Sequence, residues 1–273
     1  MIDPTAALHQ RYGAHTPATP PAWSTTLELL LGHRSVRAYR DEPLPAGTLE
    51  ALVAAAQSAA SSSNLQTWSV VAVEDPARRE RLAALAGNQA HIRTAPLFLV
   101  WLADLSRLAR VAAARDLPHA GLDYTEMLLV AVIDAALAAQ NAVVAAEALG
   151  LGTVYIGAMR NRPLEVATEL NLPPRCVAVF GLCVGWPDPE RPTAVKPRLP
   201  QTAVLHHEQY QAEHEATAVA QYNAAMADFY VEQKMRVTGD WSQHSSQRVA
   251  GPQSLSGRDT LAESLKQLGF ELR

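Results

Sequence analysis

Residues 127–149, MLLVAVIDAALAAQNAVVAAEAL, are apolar on nearly every side of a helix, interrupted only by Asp134, Gln140, Asn141 and Glu147. A helix apolar all round is a buried one, so this stretch predicts a central helix in the core or in a subunit interface. The rest of the composition sharpens the point. Of the 273 residues 48% are hydrophobic but only 6% aromatic, so the core is rich in small side chains that let helices approach closely while contributing little buried area each. Such a core needs a partner subunit or a large cofactor to complete it.

With roughly 100 to 200 residues per domain, the chain holds one large domain or two small ones. Its 14 glycines and 18 prolines are too few for low-complexity disorder. Lys and Arg number 23 against 27 Asp and Glu, a net charge of -4, which argues against nucleic acid or an acidic membrane as partner and makes any cation cluster local. Cys176 and Cys183 lie seven apart in a strand-like run; the odd separation predicts opposite faces and two small buried residues rather than a disulfide or metal pair. The first residues lack the charged and apolar regions of a secretory signal, and no uncharged apolar run approaches the roughly 18 residues of a spanning helix. The expectation is a cytoplasmic protein.

Residues 1–24, with Pro4, Pro17, Pro20 and Pro21, show no apolar period and are read as a flexible arm; residues 25–273 are read as a single domain with an extended C-terminal segment. A short helix from Thr26 ends at Gly32, and Pro45-Ala46-Gly47-Thr48 opens another that runs into Ser61-Ser62-Ser63-Asn64. Strands are predicted at 68–73, 97–102, 153–157 and 176–185, with helices from Pro76 and Pro163 and a long one from about His206 to Val231. Helices outweigh strands without regular βαβ alternation, so the class is α+β.

Several constellations can carry chemistry. His33-Arg34-Ser35-Val36-Arg37 follows a Gly-terminated helix and suits either a phosphate cradle, since guanidiniums offer paired N–H donors, or a solvated basic turn. Lys196-Pro197-Arg198 lies between Pro192 and Pro200, so its cations sit on a stiff segment. Ser61–Gln66, SSSNLQ, with Gln89 and His91 beyond Gly87, offers amides and hydroxyls that read a heterocycle edge or simply solvate a turn. The glycines of 150–161, GLGTVYIGAMRN, lie between helix and strand, the reverse of the order a dinucleotide or phosphate loop needs; Gly157 lets a flat ligand approach the backbone. His206, His207 and His214 lack a three-ligand spacing for zinc, and no metal is expected.

In order along the chain, HRSVRAYRDEPLP, SSSNLQ, NQAHI, AAQNAVVAAEALGLGTVYIGAMRN, FGLCVGWPDP and KPRLP closely resemble the nitroreductase family, and within it the NADPH-dependent, FMN-containing oxygen-insensitive nitroreductases and flavin reductases. The resemblance covers about Leu27 to Tyr230. It implies a mixed, mostly antiparallel sheet flanked by helices, built as an intertwined homodimer with one FMN per subunit at the interface. By that match His33, Arg34, Ser35 and Arg37 stand at the FMN phosphate and adjoining flavin edge, joined by Lys196 and Arg198. Ser61, Gln66 and Gln89 stand around the isoalloxazine and ribityl chain, and Tyr155, Ile156, Gly157 and Ala158 lie along the ring near N5, where family members often have a second glycine in place of Ala158. Lys234 or Arg236, in YVEQKMRVTGDW, takes the place of the arginine that holds the NADPH 2'-phosphate. The resemblance implies two-electron ping-pong hydride transfer through flavin N5 to nitroaromatics, quinones or flavins, with no protein acid, base or nucleophile. A flavin reductase supplying a monooxygenase and a non-catalytic FMN-binding protein are the alternatives.

Overall fold

All eight residues of Leu97–Asp104 are buried, which places this run inside a sheet covered on both faces. The computed structural model describes residues 2–18, 20 and 22–273. Its helices are α1 (Pro4–Tyr12), α2 (Thr25–Leu31), α3 (Thr48–Gln57), α4 (Pro76–Leu85), α5 (Ala90–Thr94), α6 (Ser106–Ala113), α7 (Thr125–Ala148), α8 (Pro163–Glu169), α9 (Glu215–Glu232), α10 (Trp241–Arg248) and α11 (Leu261–Gln267). The strands are β1 (Trp68–Val73), β2 (Leu97–Asp104), β3 (Gly152–Ile156) and β4 (Cys176–Gly185), in the spatial order β1-β2-β4-β3 with antiparallel neighbours. An isolated parallel bridge joins Ser35 to Thr153 of β3. The α+β class read from the sequence is the class observed.

Side chains of β2 alternate between two layers. Phe98, Val100 and Leu102 pack with Leu82, Ile92 and Val166 of α4, α5 and α8, while Leu97, Leu99 and Trp101 pack with Leu52 and Ala56 of α3 and with Ala138, Ala139 and Ala142 of α7. Alanines at the α3 and α7 contacts let these helices lie close to the sheet. By length and composition α7 could cross a membrane, yet its inner face, with Asp134, is buried in this chain. Its outer face is another matter: Leu129, Ile133 and Leu137 are 53%, 55% and 45% exposed.

The cysteines correct an expectation. Trp101 pairs with Phe180 but Leu102 pairs with Ala178, so Val179 is an extra residue in β4. Such a bulge resets the two-residue alternation, and Cys176 and Cys183 belong to one core layer instead of opposite faces. Both are free, and seven residues along a strand separate them by about 23 Å.

The chain forms two compact units, Met1–Arg34 with Thr193–Leu255, and Ser35–Pro192 with Ser256–Arg273. Residues 1–24, read from the sequence as an arm, fall in the first of these units. Pro4–Tyr12 is helical because Asp3 accepts from the Ala6 N–H at 3.0 Å and Pro4 is preset for a first turn; Met1, Thr19 and Pro21 of the arm lie outside the described residues. In the first unit Tyr222, Met226 and Phe229 of α9 form a core with Leu199 and Trp241. Helix α9 begins at Glu215 rather than near His206. Before it, His206 stacks on Tyr210 and its Nδ1 accepts from the Gln211 N–H at 3.3 Å, local bonding that competes with helix. The polar tail also hides α10, started by Asp240, which accepts from the Gln243 N–H at 2.9 Å.

Candidate functional site

In the second unit Ser35–Tyr39 runs beside β3. The Val36 N–H donates to the Thr153 carbonyl at 2.8 Å, and the Tyr39 hydroxyl donates to the Val36 carbonyl at 2.7 Å. Val36 is buried while Arg37 is exposed, as alternation requires. Gly152 permits the approach: a Cβ there would sit 2.7 Å from Val36 Cβ. His91, in α5, has a buried Nε2 with no hydrogen-bond partner among the described residues. Burial, and then the Arg37 guanidinium, hold its imidazole below the usual range, so Arg37 and His91 face one locality.

Ser61–Thr67 is wound around Asp134, which is 1% exposed. The carboxylate accepts from Ser61 Oγ at 2.7 Å, the Ser62 N–H at 3.2 Å, and the Thr67 N–H and Oγ1, both at 3.0 Å. Ser61 Oγ in turn accepts from the Gln66 N–H at 2.8 Å, and Arg107 Nη1 donates to the Gln66 carbonyl at 2.8 Å. Ser63, Asn64 and Gln66 take left-handed φ values of 48°, 56° and 52°, a conformation that needs such support. The Ser61 hydroxyl is thus engaged within the loop, while the Gln66 side chain is exposed. Gln89 caps α5 and donates from Nε2 to the Ala86 carbonyl at 3.0 Å.

At the end of β3 the Tyr155 ring is 38% exposed and meets Phe180 edge-on at 5.1 Å. Ile156 is buried, and Gly157–Arg160 forms a 3₁₀ turn. Arg160 donates to the carbonyl of Val179, the bulged residue, which ties this turn to β4. The Ala158 methyl packs against the core layer under the sheet. Asn161 Oδ1 is buried without a partner among the described residues.

In the first unit, His33 and Arg34 follow the end of α2 at Gly32. Arg11 of α1, 5% exposed, donates from Nη2 to the Leu31 and His33 carbonyls at 2.6 and 2.8 Å, and from Nη1 to the Lys196 carbonyl at 2.8 Å. Pro197 is buried, its carbonyl accepting from Tyr222 Oη at 3.1 Å, with Lys196 and Arg198 exposed on either side. Lys234 and Arg236 are exposed beyond the end of α9. Arg11 and Asp134 were not among the residues expected to form the site, whereas His91 was named with Gln89 in the sequence. A lone carboxylate inside a 24-residue apolar helix was the available signal for Asp134; Arg11 gave none.

The profile of the "Nitroreductase family" matches residues 30–186, and that of the "Nitroreductase family, C-terminal domain" matches 196–273. This chain belongs to the nitroreductase family. An oxygen-insensitive NADPH nitroreductase of Salmonella typhimurium is 43% identical over 81% of this chain and 89% of its own. An NADPH-flavin oxidoreductase of Vibrio harveyi is 38% identical over 84% and 92%. Among solved structures, the V. harveyi NADPH:FMN oxidoreductase complexed with NAD+ superposes with a TM-score of 0.81 at 36% identity, covering 92% of this chain and 100% of that one. The NfrA1 nitroreductase of B. subtilis gives 0.84 at 35%, covering 90% and 99%.

Each unit carries cations chemically suited to a flavin phosphate, Arg34 and Arg198 in the first and Arg37 in the second. Among the described residues Arg34, Arg37 and Arg198 have no carboxylate within 4.0 Å, although the chain carries 27 acidic residues. Guanidiniums without a carboxylate partner suit a dianion, and His91 Nε2 and Asn161 Oδ1, buried without a hydrogen-bond partner among the described residues, suit a polar heterocycle.

Proposed function

We propose that His33, Arg34, Ser35, Arg37, Lys196 and Arg198 hold the phosphate of FMN, and that the protein uses this flavin to reduce nitroaromatics, quinones or flavins. The protein is an NAD(P)H-dependent, flavin-based oxidoreductase. The observation that carries the site assignment is the set of guanidiniums at 34, 37 and 198 without carboxylate partners. When bound, FMN would supply two-electron chemistry at ring nitrogen N5 between the reduced nicotinamide and the acceptor. Around it, Ser61, Gln66 and Gln89 orient the ring and ribityl chain, and Tyr155, Ile156, Gly157 and Ala158 present backbone to the ring. The cations offset negative charge on the bound group, and no side chain moves a proton as acid or base. Lys234 and Arg236 receive the NADPH 2'-phosphate. The protein works as a homodimer whose interface includes the outer face of α7, in the cytoplasm where its electron donor is regenerated.

Anaerobic NADPH should bleach the yellow holoprotein, and a nitroarene or quinone should restore the colour. Failure to bleach with NADPH or NADH would overturn the reading. A second reading, delivery of reduced FMN to a monooxygenase, is favoured by the likeness to the V. harveyi flavin oxidoreductase; FMN that exchanges during turnover supports it and FMN that stays bound removes it.

Because a Cβ at position 152 would meet three Val36 carbons at 2.7 to 2.8 Å, Gly152→Ala must displace Val36 together with Ser35 and Arg37. The expected result is a loss of about 1–3 kcal/mol in stability and weaker FMN binding, measured by thermal unfolding and by flavin titration of the apoprotein. Unchanged values in both would contradict this placement.

A further inference from the structure

We propose that Arg11 is a positioning residue for the phosphate end of the flavin site, an inference that rests on the reading of His33, Arg34, Lys196 and Arg198 given above. Helix α1 lies outside both segments that match the nitroreductase profiles, 30–186 and 196–273. Yet its Arg11 joins the two cationic segments of the first unit by both its side chain and its backbone. The guanidinium donates to the carbonyls of His33 at 2.8 Å and Lys196 at 2.8 Å, and the Arg11 carbonyl accepts from the Arg198 N–H at 2.9 Å.

The two segments need such a tie. His33 lies just past the end of α2, where carbonyls have lost their intrahelical donors, and Lys196 lies in an irregular proline-rich stretch. Side chains of Arg34, Lys196 and Arg198 are exposed, so their aim depends on the backbone beneath them. A guanidinium can make this tie because its planar fork serves several carbonyls at once and keeps its charge when buried.

FMN and riboflavin share the ring and ribityl chain and differ in the phosphate, so their dissociation constants separate positioning of the phosphate site from general support of the fold. In the full-length apoprotein, Arg11→Met is expected to weaken FMN by about 10- to 100-fold while riboflavin changes by about twofold or less. Arg11→Lys, which keeps the charge and reaches fewer carbonyls, should recover much of the loss and decides the matter should the methionine variant fold poorly. An FMN-to-riboflavin ratio equal to that of the native protein in both variants would overturn the proposal, whether the two ligands weaken together or not at all. Arg34→Ala with Lys196→Ala tests the underlying reading separately: an unchanged ratio there removes the phosphate site itself.

Discussion

Asp134→Ala is expected to lower the unfolding free energy by about 3–5 kcal/mol and to lower Tm by about 5–9 °C. The substitution removes one carboxylate but strands four donors, the hydroxyls of Ser61 and Thr67 and the N–H groups of Ser62 and Thr67. Each stranded buried donor costs about 1–3 kcal/mol, reduced where water reaches the loop. The left-handed residues Ser63, Asn64 and Gln66 then lose the contact that supports them, so FMN affinity should fall as well. Asp134→Asn keeps one acceptor oxygen but turns an NH2 toward donors, and should fall between the two. Thermal and urea unfolding of the apoprotein, with flavin titration, measure both effects. A loss under about 1 kcal/mol would show that the loop is held by something other than this carboxylate.

The second large effect concerns assembly. Leu129, Ile133 and Leu137 recur every four residues along the outer face of α7 and stand 53%, 55% and 45% exposed, an apolar stripe that a subunit interface would cover. Ile133→Glu with Leu137→Glu should convert the proposed homodimer to monomer. Two-fold symmetry places each substitution in the interface twice, so four carboxylates would lose water together, and dimer affinity should weaken by about a thousandfold or more. Sedimentation equilibrium or light scattering at micromolar concentration reads the change. A native protein that is monomeric under those conditions, or a double variant that stays dimeric, would contradict the assignment of this face.

Local punctuation made much of this architecture legible. Trp68–Val73 and Cys176–Gly185 were bounded by turn residues and matched their strands, and Asp75-Pro76 and Pro163 opened helices where expected. What stayed hidden depends on distant partners or on a single inserted residue. No alternation rule foresees the bulge at Val179, and it reversed the placement of Cys183 relative to Cys176. Asp134 reaches its partners across 67 to 73 residues, and Arg11 reaches Lys196 across 185; neither separation leaves a trace in periodicity. The ordered cationic and glycine-bearing motifs revealed the family, but not which of their groups are spent on holding loops together.

Each compact unit is assembled from two stretches far apart in the chain, and each is fastened by its later stretch. The Arg175 N–H reaches the Leu268 carbonyl at 2.7 Å, and Arg273 exchanges backbone bonds with Asp123 and Thr125 at the entry to α7. During synthesis, α1 must wait for Lys196 to leave the ribosome, and the start of α7 must wait for residues near 270. Contacts of such sequence separation form slowly because the loops between them must close first. The long apolar helix therefore spends the interval with its end untied and is the segment most in need of shelter from other nascent chains.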